Sequence, residues 1–458
     1  MTDTRERELL DRIAELEAEN ASLRAQIAEL EQQLMELSAS LPPSDYSPAP
    51  VFVKPKRQKR RRKKPGRKPG HPGSHRQPPT EADEIIEVPL EDCPHCHSAL
   101  EDVHTCEQYV EEVIPAQTKV ICYRTYKGYC PHCQRTVESR HPDQIPHRMI
   151  GPRALLTAAQ LKHELGVPYR KTASVLKRLC GLSVTAGALV QEMSDLAGWL
   201  KPEYEAIQSA IRQSACVNVD ETGWRLDGKS CWLWAFTNDS FTIYEVNPSR
   251  GHQVVLQQLG EEYAGTVISD FYTAYNPLSY RQQKCLVHLL RELSKCAPGN
   301  TEEYAAFHKK LTRLLRDALR LKQHMADLPQ NVYDRRLGYI HQRLAKLAGA
   351  TYEAHDCQRL AKRLSKHADQ LFTFLEHMDV EPDNNRAERA IRPAVVTRKI
   401  SGGNRSPRGT EALGIITSLI QTCKQQNRDF VEVGLHIIQR YHAGLPAGIL
   451  TDTLPAPT

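Results

Sequence analysis

The first forty residues carry the most regular hydrophobic pattern of the chain. Leucine recurs at every seventh position, and an apolar residue or Asn20 follows each of the first four leucines by four positions. Leucine at d with mainly Ile or Leu at a of a heptad predicts a parallel coiled coil, in which one buried Asn sets the register. A single amphipathic helix packed on the protein's own body is the alternative. The leucines are Leu9, Leu16, Leu23, Leu30 and Leu37.

Beyond residue 40 the periodicity changes several times. Residues 41–53 are rich in Pro and Ser, which is typical of a linker. The segment 109–126 alternates like a two-stranded hairpin. Residues 152–212 have a helical pattern, with a turn near Gly181 and a second helix that opens at Ser183. This spacing is typical of a helix-turn-helix and also of many ordinary helical hairpins.

A strand-like pattern begins after residue 213. In CVNVDETGW, Val217 and Val219 alternate with Asn218 and Asp220, so the Asp220 side chain is predicted to project from the face opposite the valines. Glu221 should then face away from Asp220, provided that the strand is regular.

The pattern that follows predicts strands at 231–237 and 241–247 and a helix near 252–259. A short apolar run, GTVISD, then ends at Asp270. An apolar strand that ends at an acid is how α/β folds place ligands at the carboxyl end of a strand. A long helical region, roughly 289–378, comes next.

The segment EPDNNRAERAIRPAVVTRK predicts one more helix, which begins at 382–383. Asn384, Glu388 and Arg392 are spaced four residues apart, so they share one face of that helix. Pro393 is expected to end or kink it, because proline lacks the backbone N–H of a helix interior.

The positive charge of the chain is concentrated in one segment. Overall, 61 Lys and Arg stand against 55 Asp and Glu, a formal net charge of +6. Residues 54–80 hold 12 of these cations and no acid, so the rest of the chain is net negative at −6. A tract with almost no apolar residues cannot fold alone, and its cations would bind nucleic acid by releasing counterions. It predicts DNA contact, with a solvated linker as the alternative. The residues assigned to this contact are Lys59, Arg60, Arg61, Arg62, Lys63, Lys64, Arg67 and Lys68.

Two Cys-Pro-His-Cys sequences, 33 residues apart, predict a zinc module. Four thiolates in two such pairs suit a structural, tetrahedral Zn²⁺. A redox dithiol is the weaker alternative, and the chain has no predicted export signal that would favour disulfides. The predicted ligands are Cys93, Cys96, Cys130 and Cys133. Candidate replacements are His95, His97, His132, Cys106 and Cys122.

Asp220, Asp270 and Glu388 would together hold two Mg²⁺ or Mn²⁺ ions. Mg²⁺ prefers carboxylate oxygens and keeps several waters. A pair of such ions about 3.5–4 Å apart assists in-line phosphoryl displacement. The pattern alone is weak, because the chain has 55 acidic residues. Other candidate acids are Asp239, Glu245 and Glu381.

The order of these parts resembles the large transposase of the insertion sequence 66 family. VDETGW around Asp220, SDFYTAYN around Asp270 and NNRAERAIRP around Glu388 carry the resemblance, together with the leucine repeat, the basic tract and the CPHC pairs. It implies an RNase H-like catalytic core of the DDE class, with a helical insertion before the last acid. It also implies that the three acids bind the catalytic metal ions of an enzyme that cleaves transposon ends and transfers the strands.

The same resemblance draws attention to residues beside the acids. In CLVHLLR, His288 and Arg291 are candidates for phosphate contact, with helix packing as the alternative. Residues 384, 385 and 392 are the implied supports of Glu388. The predicted loop RKISGGNRSPRG has the glycines and charges to follow a DNA backbone, with a solvated surface loop as the alternative. Its candidates for DNA contact are Arg398, Lys399, Arg405 and Arg408.

The predicted fold class is multidomain α+β. It combines a coiled coil, a zinc-binding β module, a helix-turn-helix-like region and an RNase H-like α/β core with a helical insertion. The expected partners are double-stranded DNA, further copies of the chain paired through the coiled coil, and accessory proteins of the same element. No apolar run approaches the roughly 18 residues of a membrane helix, and we expect a cytoplasmic, nucleoid-associated protein. The predicted domains are 1–40, 41–80, 81–147, 148–212, 213–425 with an insertion at about 289–380, and 426–458.

Two other classes of function fit parts of the pattern. A non-catalytic, dimeric, zinc-containing DNA-binding regulator would use only the coiled coil, the basic tract and the zinc module. Such a regulator would depend neither on Mg²⁺ nor on the three acids. A zinc hydrolase is disfavoured, because four thiolates leave no open coordination position for water.

Overall fold

The computed structural model describes most of the chain between residues 81 and 452. The exceptions in that range are residues 90, 92, 96, 100, 102–103, 106–107, 111–115, 140, 142, 146–147 and 296–300. Of the earlier residues it describes seven, among them the heptad leucines Leu16 and Leu23, which are helical and 44% and 50% exposed. The rest of the predicted coiled coil, the linker and the basic tract lie outside the described residues.

The chain divides into two compact units, Met1–Glu111 and Glu112–Thr458. From residue 81 onward, the described residues of the first unit form turns, bends and irregular segments, and none of them lies in a helix or strand. The second unit holds the helices and sheets described below. In the described part of the chain, no helix has the length and apolar character that a membrane span requires.

A short antiparallel hairpin opens the regular structure of the second unit, with strands β1 (Lys127–Cys130) and β2 (Arg135–Glu138). The hairpin predicted over 109–126 is wrong for the described residues of that segment, since none of them lies in a strand. The chain reverses later because the sequence at 130–133 forms the turn. Gln134 closes it in the left-handed conformation, at φ 51°.

A five-stranded mixed sheet lies at the centre of the second unit, in the order β5-β4-β3-β6-β7. The first three strands in sequence form an antiparallel meander, whereas β6 runs parallel to β3 and β7 parallel to β6. The predicted strands β4 and β5 are confirmed, and the predicted helix before β6 is present at Gln253–Leu259. The polar strand β7 was not predicted. The strands are β3 (Cys216–Leu226), β4 (Lys229–Thr237), β5 (Thr242–Asn247), β6 (Thr266–Ser269) and β7 (Arg281–Lys284).

Three helices precede this sheet and share its hydrophobic core. The predicted turn at Gly181 is confirmed, since this glycine ends α2 in the left-handed conformation at φ 72°. The next helix begins at Ala186 rather than at Ser183, because the Thr185 side chain caps it by accepting the N–H of Ala188. The helices are α1 (Pro152–Ala159), α2 (Tyr169–Cys180) and α3 (Ala186–Arg212), and α4 (Gln253–Leu259) follows β5.

A set of helices with its own hydrophobic cluster is inserted after β7. This confirms the helical region predicted for about 289–378. The cluster also includes Ile268 of β6, so the insertion packs against the sheet. The helices are α5 (Leu286–Lys295), α6 (Glu302–Gln323), α7 (Gln330–Gly349) and α8 (His355–Lys366).

Three helices complete the second unit: α9 (Asn385–Ser401), α10 (Pro407–Gln425) and α11 (Phe430–His442). Of the two effects predicted for Pro393, an end or a kink of the helix, the end is wrong, because α9 continues through it to residue 401. Pro393 is exposed, while Ile391 and Ala394 pack with apolar residues of β3 and β4. This packing offsets the cost of an interior proline, about 3 kcal/mol.

Candidate active site

Asp220 lies in the middle of the central strand β3. Val217 and Val219 of this strand are fully buried in the core. Asn218 instead donates from its Nδ2 to the Oδ1 of Asn384 at the start of α9, over 3.1 Å. Because side chains alternate along a strand, Asp220 shares the α9 side with Asn218. The Asp220 carboxylate accepts the N–H of the following residue at 3.0 Å.

Asp270 directly follows β6, the parallel neighbour of β3. Its Oδ1 accepts the backbone N–H of Tyr272 at 2.8 Å. Beside it, the fully buried Lys284 at the end of β7 donates from Nζ to the Oγ of Ser269 at 3.1 Å. Burial lowers the pKa of Lys284 to about 8, and the charge of Asp270 acts in the opposite direction. The second acid therefore has a buried amine close by.

Glu388 lies in the first turn of α9. Both its oxygens are bound by Arg291 of α5, with Nη1–Oε1 at 3.0 Å and Nη2–Oε2 at 3.3 Å. The Nε2 of His288 lies 3.6 Å from Oε1. Two-point contacts fix the orientation of arginine and carboxylate relative to each other. The two residues singled out in CLVHLLR therefore contact the third acid.

Asn384 joins the elements that carry the acids. It is buried, and its Nδ2 donates to the carbonyl of Val219 on β3 at 2.8 Å. Its backbone N–H points at the Sγ of Cys285, 3.2 Å away, at the start of α5. Together with the bond from Asn218, these contacts fix the beginning of α9 against β3 and α5. A support for Glu388 at this position is what the resemblance implied.

The other residues predicted to support Glu388 or to contact DNA, in α9 and the loop after it, form no hydrogen bond or ion pair with Glu388 in the described part of the chain. Arg392 is exposed. The backbone N–H of Asn385 donates to the carboxylate of Asp383, two residues earlier. The predicted loop is shorter than expected, because Arg398 and Lys399 lie in α9 and only residues 402–406 separate it from α10. The Arg398 guanidinium donates to β3. Lys399 and Arg405 are exposed.

The surroundings of Asp220 disfavour its charged form. Burial raises the pKa of Asp220 to about 7, and the charges of Glu221, Asp270 and, less strongly, Glu388 act in the same direction. A bound divalent cation would relieve this repulsion, and carboxylate oxygens are the ligands that Mg²⁺ prefers. The donor chemistry therefore fits such ions. Among the described residues, however, no three His, Cys, Asp or Glu side chains are grouped to hold one metal ion, and Glu388 is bound by Arg291.

Sequence reasoning missed the environment of Glu221. Its side chain is 3% exposed and accepts bonds from the Arg250 Nη2 at 2.8 Å and from the Tyr275 hydroxyl at 2.6 Å. The Arg250 guanidinium carbon lies 4.3 Å from the ring centroid of Trp232 and 3.8 Å from that of Tyr272. Strand alternation predicts only that Glu221 faces away from its neighbour, and these partners come from distant parts of the chain.

The second Cys-Pro-His-Cys sequence forms the turn of the β1–β2 hairpin. Backbone N–H groups of Cys133 and His132, together with the Cys133 thiol, point at Cys130 and lower the pKa of its thiol. A lowered pKa favours the thiolate, which is the form that binds metal. This half of the predicted zinc site has chemistry suited to Zn²⁺.

The first Cys-Pro-His-Cys sequence also forms a turn. The N–H of His97 donates to the carbonyl of Cys93 at 2.9 Å, and the N–H of Cys93 donates to the carbonyl of Ser98 at 3.0 Å. Cys96, the second cysteine of this pair, lies outside the described residues. The described residues therefore present only one of its two predicted ligands.

The family model of the IS66 family of transposases matches residues 147–412, more than half of the chain. The protein therefore belongs to this family. The matched region contains the five-stranded sheet, the helical insertion and α9, with all three acids. Membership of a transposase family implies DNA as the partner.

Similar proteins occur in Sinorhizobium fredii (strain NBRC 101917 / NGR234). The protein y4qI is 26% identical over 418 residues, which cover 81% of this chain and 75% of y4qI. The protein y4jD is 25% identical over 382 residues, covering 76% of this chain and 74% of y4jD. Both are described only as uncharacterized proteins. They show that the similarity extends over most of the chain, and they give no information about its activity.

Proposed function

We propose that this protein is a DDE-type DNA transposase that binds the ends of an insertion sequence and catalyses metal-dependent strand cleavage and strand transfer. Asp220, Asp270 and Glu388 are the proposed catalytic acids. The proposal rests on one observation above all: within the region that the family model matches, the buried Asp220 lies on the central strand, and the charges of Asp270 after the neighbouring parallel strand and of Glu388 on α9 act on it. A carboxylate whose pKa is raised by burial and by neighbouring acids is a candidate for a functional role.

The sheet supports an RNase H-like core. It is a mixed sheet with the first proposed acid on its central strand and the second just after the parallel strand beside it. The third acid lies on a helix that packs on β3 and β4 after a helical insertion. This arrangement agrees with the fold that the family resemblance implies.

The three carboxylates would hold two Mg²⁺ or Mn²⁺ ions, which would polarise the attacking and leaving oxygens when bound. The chain's own contributions are positional. Asn384 fixes α9 against the strand that carries Asp220. Arg291 has the planar fork that matches a phosphate, and it would pass from Glu388 to a phosphate oxygen once that acid turns to a metal ion.

Both chemical steps are in-line displacements at phosphorus. In the first, the oxygen of water bonds to the phosphorus at the transposon end, and the bond from that phosphorus to the 3′ oxygen breaks. A proton from water ends on the released 3′-hydroxyl, and a 5′-phosphate stays on the flanking strand. In the second, this 3′ oxygen bonds to a target phosphorus while the target's own 3′ oxygen leaves and takes up a proton. No covalent protein intermediate is needed.

The remaining parts of the chain would recognise and pair the DNA ends. We assign Zn²⁺ to Cys93, Cys96, Cys130 and Cys133 as a structural ion. The basic tract 54–80 and the helices α2 and α3 would contact DNA, and residues 1–40 would pair protomers. Accessory proteins of the same element are further partners in this proposal.

The experiment is a cleavage assay on labelled DNA that carries the element's own ends, with and without Mg²⁺. We expect metal-dependent nicking at the end boundary by the wild type and none by Asp270→Asn, with binding of the end DNA retained. Asp227→Asn is the matched control, because Asp227 lies in the exposed β3–β4 turn at φ 49°, which asparagine tolerates.

Cleavage by Asp270→Asn at the wild-type rate would contradict the assignment. DNA binding that is indifferent to Mg²⁺, with no nicking by any variant, would favour the non-catalytic regulator instead. A loss of cleavage in both Asp270→Asn and Asp227→Asn would point to general damage, and melting curves of the two variants would identify it.

A further inference from the structure

The outward face of α6 is a stripe of cations that the proposed reaction does not use. Five Lys and Arg side chains of this helix are exposed, and at 3.6 residues per turn they lie within an arc of about 120°. The stripe extends about 16 Å along the axis, at 1.5 Å per residue. Within its length, Asp317 is the single acid of this fully described helix. The five cations are Lys309, Lys310, Arg313, Arg316 and Arg320.

Helix α7 carries a similar face. Four cations lie within an arc of about 120° around Tyr339, which is 61% exposed. The Arg343 guanidinium is 5.5 Å from the centroid of this ring. Asp334, the only acid of α7, lies on the other side of the helix, where it accepts a bond from Gln330 at 2.7 Å. The four cations are Arg335, Arg336, Arg343 and Lys346.

The two faces adjoin. Arg343 of α7 binds Asp317 of α6, with Nη1–Oδ2 at 2.7 Å, and the Nε of Arg313 lies 4.0 Å from the same oxygen. The one acid within the combined face is therefore already paired. The other seven cations form no ion pair with any carboxylate in the part of the chain that the structure describes. We refer to these nine cations and Tyr339 as the α6–α7 basic surface.

Two other cations of the insertion are neutralised. Arg359 and Arg363 of α8 both bind Glu292 of α5, whose side chain is 18% exposed. Lys362 and Lys366 of α8 are exposed and unpaired among the described residues, but the α6–α7 basic surface, with seven such cations, holds the larger group. Like charges held together repel one another and destabilise the bare protein. A polyanion lying on the surface would remove that repulsion.

We propose that the α6–α7 basic surface binds the phosphate backbone of duplex DNA, as a contact additional to the basic tract 54–80. This inference rests on the proposed function for the identity of its partner. One DNA strand carries a phosphate every 3.4 Å of duplex axis, so a face about 16 Å long is long enough to contact several phosphates. Arg, Lys and Tyr side chains are usual donors to phosphate oxygens and carry no base specificity. The surface binds DNA irrespective of its sequence.

The first test measures the affinity of the full chain for a random-sequence duplex of about 30 base pairs at several salt concentrations. For the triple variant Arg316→Gln, Arg320→Gln and Arg335→Gln, the slope of log K against log salt should become shallower by about 2 to 3, at about 0.9 per lost phosphate contact. The matched control removes three exposed cations elsewhere, by Lys229→Gln, Arg281→Gln and Lys362→Gln. Its slope should stay at the wild-type value.

The second test needs no variant. Acetylation of lysines in the wild-type protein, read by mass spectrometry, should fall several-fold at Lys309, Lys310 and Lys346 when duplex is added, and stay constant at Lys362. An unchanged slope in the triple variant with no protection of these lysines would overturn the inference. So would an equal loss in the control variant, or protection by a single strand of the same length but not by the duplex.

The two proposals fail in different ways. A wild-type protein that binds no duplex at any salt concentration would overturn the DNA-directed function itself. Duplex binding and metal-dependent nicking that are unaffected by the triple substitution would leave that function standing and remove only the α6–α7 basic surface.

Discussion

Two glutamate–arginine pairs lie near Asp220, and they are built differently. The Glu221 carboxylate is 3% exposed, and its arginine, Arg250, lies between two aromatic rings. Glu388 and Arg291 are 31% and 49% exposed, and each contacts solvent. A buried pair that loses one partner leaves an uncompensated charge, at a cost of about 3–5 kcal/mol. An exposed pair contributes about 0–1 kcal/mol.

The difference suggests different uses for the two carboxylates. Glu221 also accepts the hydroxyl of the fully buried Tyr275, so the structure gives it no freedom to leave its partners. Glu388 can exchange Arg291 for another cation at little cost. The residue that is free to change partners is the one proposed to bind metal, and the residue that is locked holds β3 in place. The predictions below test this division.

The largest expected effect is the loss of cleavage in Glu388→Gln. An amide carries no charge to hold a metal ion, and losing several kcal/mol of transition-state stabilisation slows cleavage by about a thousandfold or more. The unfolding free energy should change by less than about 1 kcal/mol, because the pair with Arg291 is exposed. The cleavage rate on end DNA checks the first expectation, and urea unfolding of the same preparation checks the second. Glu376→Gln, at another exposed acid, is the control.

Glu221→Gln should show the opposite profile. Removing the buried charge leaves Arg250 without its carboxylate, and because that arginine is 37% exposed we expect a loss of about 2–3 kcal/mol in unfolding free energy. Urea unfolding measures it. Glu411→Gln is the matched control, since Glu411 pairs with Lys201 where both side chains are about half exposed, and it should cost under about 1 kcal/mol. Equal losses of unfolding free energy in the two variants would mean that the Glu221–Arg250 pair is no more firmly held than an exposed pair.

Alternation and short apolar runs predicted the strands whose buried positions are apolar. The alternation of β3 placed Asp220 opposite the valines, and the apolar runs of β4 and β6 were read directly. Strand β7 escaped because its sequence is RQQK, with Gln282 and Gln283 buried. Their amides bond main-chain carbonyls of Tyr275 and Leu371, a tertiary arrangement that no local pattern reports.

The site, like the sheet, could be predicted only in part. The three acids could be named from motifs, but their present partners could not. Arg250 comes from the segment after β5 and Arg291 from α5, and each meets its glutamate only through the packing of separate elements. Pro393 shows the reverse case, in which a strong local rule is overridden because the buried face of α9 packs on the sheet.

His163 extends the comparison to a buried titratable group that has no acid as a partner. His163 is fully buried beside Lys162, and neither of its ring nitrogens has a hydrogen-bond partner among the described residues. Burial, aided by Lys162, lowers the pKa of His163 to about 3. The unfolded chain, with an ordinary pKa near 6.5, binds this proton first, so stability falls as the pH drops below about 6.5.

His163→Leu should remove that part of the pH dependence. Between pH 7 and pH 4.5 the variant should gain about 2 kcal/mol of unfolding free energy relative to the wild type, at about 1.4 kcal/mol per pH unit of differential protonation. Urea unfolding at the two pH values measures the gain. His355→Leu, at an exposed histidine, should show no such change. A constant difference between His163→Leu and the wild type at both pH values would mean that the buried imidazole can be protonated in the folded state.

The smallest expected effect is also the most direct test of whether Glu388 can exchange Arg291 for a metal ion. Arg291→Gln removes the cation that competes for Glu388, so the affinity of the DNA-free protein for Mn²⁺ should rise several-fold, equivalent to about 1 kcal/mol. Isothermal titration measures this without any reference to catalysis. Arg250→Gln is the matched control, because it removes a cation from the locked pair and should not raise the affinity to the same degree. If Arg291→Gln binds Mn²⁺ no more tightly than the wild type, Arg291 does not compete with metal for Glu388, and the contact between them is structural.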